Sequence, residues 1–138
     1  MEQLEVLKIV SRLLKQGNIP YMVTGSMAGH FYAVPRMTRD IDIVIEVPKA
    51  DVDKMLQLFK KDFYLDAEAA SRAVNDQGMF NIIYQPLVFK IDFIVRKDSP
   101  YRELEFQRRR EIEMAGQHIS VVSPEDLVLS KLLWAKDS

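Results

Sequence analysis

The stretch MVTGSMAGHFYAVPRMTRDIDIVIEV, residues 22–47, decides the fold. A short apolar run ends in Gly25-Ser26, a helix-compatible segment follows, and a second apolar run opens with Asp40-Ile41-Asp42. This is the pattern of strand, turn, helix and strand. Alternate residues of a strand share a side, so Asp40 and Asp42 project together, with α-carbons roughly 6–7 Å apart. Paired carboxylates repel each other and favour a divalent cation. Their hard oxygens suit Mg²⁺, which takes its other ligands from water and phosphates. Gly25-Ser26 supplies the complementary half, because free N–H groups at a helix start attract anions. A phosphate cradle beside a metal-binding pair implies a nucleoside triphosphate.

Working outward, 138 residues predict one domain over 1–138, and 48% apolar with 28% charged residues predicts a folded core. No run reaches the roughly 18 apolar residues of a membrane span, and MEQLEVLKIV does not read as a signal peptide. The absence of cysteine excludes disulfides, thiolate metal sites and a cysteine nucleophile, and fits a cytoplasmic protein. A net charge of −1 argues against a surface built for long nucleic acid.

Leu4, Val6, Leu7, Val10, Leu13 and Leu14 recur at helical spacing, and Gly17-Asn18 ends that helix. Tyr21–Thr24 reads as a strand, 26–33 as a short helix stopped before Pro35, and 41–47 as an alternating strand. Helices are expected from Val52 to Lys61 and over 68–75, then strands over 79–84 and 87–95. In the last of these Phe89, Ile91, Phe93 and Val95 take one face, while Lys90, Asp92 and Ile94 take the other. Ser99-Pro100 and Ser123-Pro124 are cap-and-first-turn signatures for two more helices, flanking a hairpin over 111–122. The last helix reaches the chain end without a terminator. Arg108-Arg109-Arg110 reads as a solvated helix end. Asp92 is either the salt-bridge partner of Lys90 or a third site carboxylate. Lys131 lies on an apolar stripe with Leu127, Val128 and Trp134, where a lysine snorkels or reaches a ligand.

The ordered set Gly25-Ser26, Asp40-x-Asp42 and Asp92 resembles the nucleotidyltransferase superfamily, of polymerase-beta-like fold. The wording TGSMAGHFYAVPRMTRDIDIVI is most similar to the AbiEii-like small bacterial group, which includes toxins of toxin–antitoxin pairs. The resemblance implies an α/β fold, with a small mixed β-sheet, helices packed against it, and the site at one sheet edge. It implies transfer of NMP from an NTP to an acceptor hydroxyl on an RNA end such as tRNA, a protein or a small molecule. Asp40, Asp42 and Asp92 would be catalytic and would ligate Mg²⁺ or Mn²⁺. Gly25, Ser26, Arg39 and Lys131 would hold the nucleotide, and an antitoxin would be a partner. Relatives of this kind usually continue into further helices. The competing reading from the same residues is a non-catalytic partner protein that keeps the fold.

Overall fold

The computed structural model describes residues 2–25, 28 and 40–137. Among them are five α-helices and one seven-stranded mixed sheet. Helix α1 (Glu2–Gln16) leads into β1 (Tyr21–Thr24) and β2 (Asp40–Ile45). A 3₁₀ turn at Lys49–Asp51 then opens α2 (Val52–Leu58), followed by β3 (Phe63–Leu65) and α3 (Ala67–Asp76). Next come β4 (Met79–Tyr84), β5 (Phe89–Val95), α4 (Pro100–Gln107), β6 (Arg110–Met114), β7 (Gln117–Val121) and α5 (Pro124–Asp137). The short helix expected over 26–33 falls largely outside the described residues.

Strand order is β3-β4-β5-β2-β1-β7-β6. The β2–β5 and β1–β7 pairs are parallel, and the other four are antiparallel. Period-two alternation drives this arrangement. Ile41, Ile43 and Ile45 of β2 and Phe89, Ile91, Phe93 and Val95 of β5 are buried on one face. Helices α1, α2 and α3 cover that face with Val6, Leu7, Val10, Leu14, Met55, Ala70 and Val74. Aromatic rings lock the layer together: Phe59 meets Phe63 edge-on at 5.3 Å and Phe93 at 5.4 Å.

Local chemistry sets the helix ends. Asn18 (φ 56°) takes the left-handed turn after α1, and the side chain of Asp66 accepts from the amides of Glu68 and Ala69 to cap α3. Two expectations need correction. Helix α2 stops at Leu58 rather than Lys61, because the chain turns to form β3, a three-residue edge strand whose only apolar anchors are Phe63 and Leu65. Strand β5 starts at Phe89 rather than Leu87, since Val88 holds a positive φ of 53° in the turn from β4. Among the described residues no helix is long and apolar enough to cross a membrane.

Candidate active site

The face of the sheet opposite α1 carries a row of polar side chains through otherwise apolar strands. Thr24 of β1 lies beside Asp42 of β2, Asp42 beside Asp92 of β5, and Asp92 beside Asn81 of β4. Neighbouring strands stand about 4.8 Å apart, so the Asp42 and Asp92 carboxyl groups meet directly. The closest acid pair is therefore made across two strands, and not within the Asp-x-Asp motif.

Burial pushes the Asp42 carboxyl up from its ordinary 3.8 to about 6. Repulsion by Asp92, a hydrogen bond between the two carboxyls and the charge of Asp40 act in the same sense, and Lys90 opposes them. Only a shared proton lets two carboxyls hydrogen-bond. Asp40, one row along the same face, is exposed. The Lys90 ammonium bridges it to Asp92, lying 3.8 Å from Asp40 Oδ1 and 3.8 Å from Asp92 Oδ2.

Gly25 closes one side of the site. It has a φ of +68°, and a Cβ placed there would lie 3.0 Å from Asp42 Cγ and 3.1 Å from its Cβ, with Oδ2 closer still. Glycine is required twice, for the backbone conformation and for the carboxylate against it. Gly25→Ala is expected to cost about 1–2 kcal/mol for the left-handed backbone and to push the Asp42 carboxylate off Asp92. Urea unfolding measures the first effect. Carboxyl NMR titration measures the second, as a fall of the Asp42 midpoint from about 6 toward its ordinary value. An unmoved midpoint would show that Gly25 does not hold Asp42 in place.

Further along the same face, α4 and α5 come over the sheet and enclose a cavity of about 340 Å³. Val44 and Ile94, each two residues beyond Asp42 and Asp92, contribute apolar lining, with Arg96, Arg102, Glu105 and Ser130 among the polar lining groups. Glu105 is buried, and burial raises its carboxyl pKa. The Arg102 guanidinium, 2.9 Å away and also bonded to Ser130 Oγ, holds it back.

The structure thus brings together Gly25, Asp40, Asp42 and Asp92. Ser26 and Arg39 lie outside the described residues. Lys131 is exposed on α5, next in sequence to Ser130, and is not among the residues lining the cavity. The expected location needs correction: the acids occupy β2 and β5, adjacent strands in the middle of the sheet, not one sheet edge. Arg108 and Arg110 are exposed where α4 ends, as expected of a solvated helix end, and the arginines there also make specific contacts. Arg108 donates from Nε (3.0 Å) and Nη2 (2.5 Å) to buried Asp126, and Arg109 stacks 4.3 Å from the Phe106 ring centroid. Sequence reasoning missed Thr24 and Asn81 as members of the row, and the pairing of Arg102 with buried Glu105. The i,i+3 spacing of that pair was a visible signal, but the burial of Glu105 was not.

Asp42 and Asp92 fit a hard divalent ion: they are adjacent carboxyls whose desolvation and mutual repulsion such a charge would relieve. Among the described residues no group of three acids or histidines is disposed to close on a single ion, and Asp40 is turned to Lys90. The site is a pair with a third carboxylate at its rim.

Comparison with protein-family models and with curated protein sequences finds no match. Solved structures are similar. One is a proposed nucleotidyltransferase from Thermotoga maritima, 20% identical, with a TM-score of 0.65 over 98% of this chain and 86% of that one. Another is an antigenic nucleotidyltransferase-like protein from Paracoccidioides brasiliensis, 21% identical, with a TM-score of 0.68 over 94% of this chain. This chain spans 64% of that protein's length. At such identities the likeness is one of architecture, and the chain has a nucleotidyltransferase-like α/β fold.

Proposed function

We propose that the protein is a metal-dependent nucleotidyltransferase that moves NMP from an NTP to an acceptor hydroxyl. The observation that carries the reading is the Asp42–Asp92 pair, seated mid-sheet with Gly25 packed against it in a fold of this type. Asp42 and Asp92 would hold Mg²⁺ or Mn²⁺, with Asp40 beside them. When bound, the ion supplies charge neutralisation for the triphosphate and lowers the pKa of the acceptor hydroxyl.

The chain's own groups do the rest. Gly25, lacking a side chain, leaves room for the Asp42 carboxylate, and the Gly25 backbone, Ser26, Arg39 and Lys131 are the proposed phosphate contacts. Asp92 takes the hydroxyl proton as the acceptor oxygen bonds to the α-phosphorus. The bond from that phosphorus to the β-phosphate oxygen breaks, and pyrophosphate leaves. Holding both reactants in line supplies much of the rate. The cavity under α4 and α5 opens on the same face and gives a reactant space beside the acids.

The test is incubation with each α-labelled NTP, Mn²⁺ or Mg²⁺, and total cellular RNA, protein or small-molecule extract. Wild type is expected to label one fraction, and Asp92→Asn to lower the rate roughly 10²–10⁴-fold. Label in an RNA end or a host protein, with arrested growth on expression, would extend the proposal to a toxin held by an antitoxin. Binding of NTP without transfer to any fraction would sink the transferase reading and leave a nucleotide-binding partner protein.

A further inference from the structure

Among the described residues, Lys90 is a charged group placed between a member of the acid row and its rim. It pairs in register with Asp40 on the neighbouring strand and precedes Asp92 by two residues, so all three side chains share a face. Its ammonium is equally far, 3.8 Å, from an oxygen of each carboxylate. The side chain is 45% exposed, and a lysine stem is long and jointed, so the charge is free to swing. A positive group this close repels any divalent ion entering at Asp42 and Asp92. A triphosphate arriving with the ion reverses that balance, because it offers the ammonium an anionic partner of its own.

We propose that Lys90 is a resident counter-cation of the carboxylate site, holding Asp40 and Asp92 until ion and triphosphate arrive together. It weakens the binding of a divalent ion alone and then turns to the phosphates. The inference rests on the nucleotidyltransferase reading and deepens it. Ion and triphosphate bind cooperatively, and each raises the affinity of the other by the same factor. Lys90 acts here as a positioning residue, coupling the loading of the two.

Calorimetric titration tests this with Mn²⁺ alone and with inorganic tripolyphosphate in saturating Mn²⁺. The proteins are wild type, Lys90→Met, Lys90→Arg and Asp42→Asn. Lys90→Met is expected to bind Mn²⁺ alone roughly tenfold or more tightly than wild type. Its affinity for tripolyphosphate with Mn²⁺ should fall about tenfold, so the coupling between the two largely disappears. Lys90→Arg keeps the charge and should restore most of both values, which a merely structural role would not predict. Equal or weaker Mn²⁺ binding by Lys90→Met overturns the proposal. If Asp42→Asn abolishes Mn²⁺–tripolyphosphate binding while Lys90→Met matches wild type, only the role of Lys90 fails. If wild type binds no Mn²⁺–tripolyphosphate, both readings fail.

Discussion

Asp42→Asn is expected to make the metal-free protein more stable at pH 8, by about 2–3 kcal/mol. The Asp42 carboxyl titrates at about 6 when folded, against an ordinary 3.8. The folded state therefore holds this proton more tightly than the unfolded chain does. Its contribution to stability is fully present below pH 4, declines as pH rises from about 4 to about 6, and is gone above that. Asparagine keeps the shape, stays neutral and still donates a hydrogen bond to Asp92. At pH 8 the melting temperature should rise by roughly 7–10 °C, while at pH 4 the two proteins should melt together. Mn²⁺ should stabilise wild type at pH 8 and leave the variant unmoved. A variant less stable than wild type at pH 8 would show that the acid pair carries no strain. The site thus stores an instability that its proposed ligand removes, a common relation between stability and activity.

The second large effect is a loss. Asp126→Ala is expected to lower stability by about 2–3 kcal/mol and the melting temperature by roughly 7–10 °C. Asp126 is fully buried in the first turn of α5. Its amide donates to Ser123 Oγ (3.1 Å), and its carboxylate accepts from Ser123 (2.9 Å), Tyr101 (3.2 Å) and Arg108. Burial alone would raise this carboxyl, but the bonds from Arg108, Ser123 and Tyr101 outweigh it and hold the pKa below its ordinary value. Alanine strands those donors. The Arg108 guanidinium is half in water, so the charge itself adds little. Because the folded pKa is depressed, this stability is present above the unfolded pKa and is lost as pH falls through the folded one. Urea unfolding at pH 7 and pH 3 checks both points. A variant within 0.5 kcal/mol of wild type at pH 7, on the order of a surface change, would sink the argument.

What could be read from the sequence was whatever has a short period. Alternation over 41–47 and 89–95 marked two strands and their buried faces, and Ser99-Pro100 and Ser123-Pro124 marked two helix starts. The three acids and Gly25 were legible because an acid in an apolar strand, or a Gly-Ser after one, breaks the local pattern. The pairing of Asp42 with Asp92 was not, because it depends on which strands are neighbours and local periodicity carries no strand order. β3 escaped because three residues cannot establish an alternation. The ion pair of exposed Arg108 was not legible either: its partner, Asp126, lies in another element beyond a hairpin.

The strand order has a kinetic consequence. The β3–β4–β5 and β6–β7 pairings join strands that are neighbours in strand order, as does β1–β2, but two joins in the middle of the sheet do not. There residue 42 must find residue 92, and residue 23 must find residue 121. Non-local parallel pairings carry their loop-closure entropy before any contact offsets it, and such folds are slower than helical bundles of equal stability. The acid site is therefore a late product of folding. A chain emerging from the ribosome can form its hairpins early, yet β1 keeps an unpaired edge until β7 has been made. In that interval the nascent sheet is open to wrong partners.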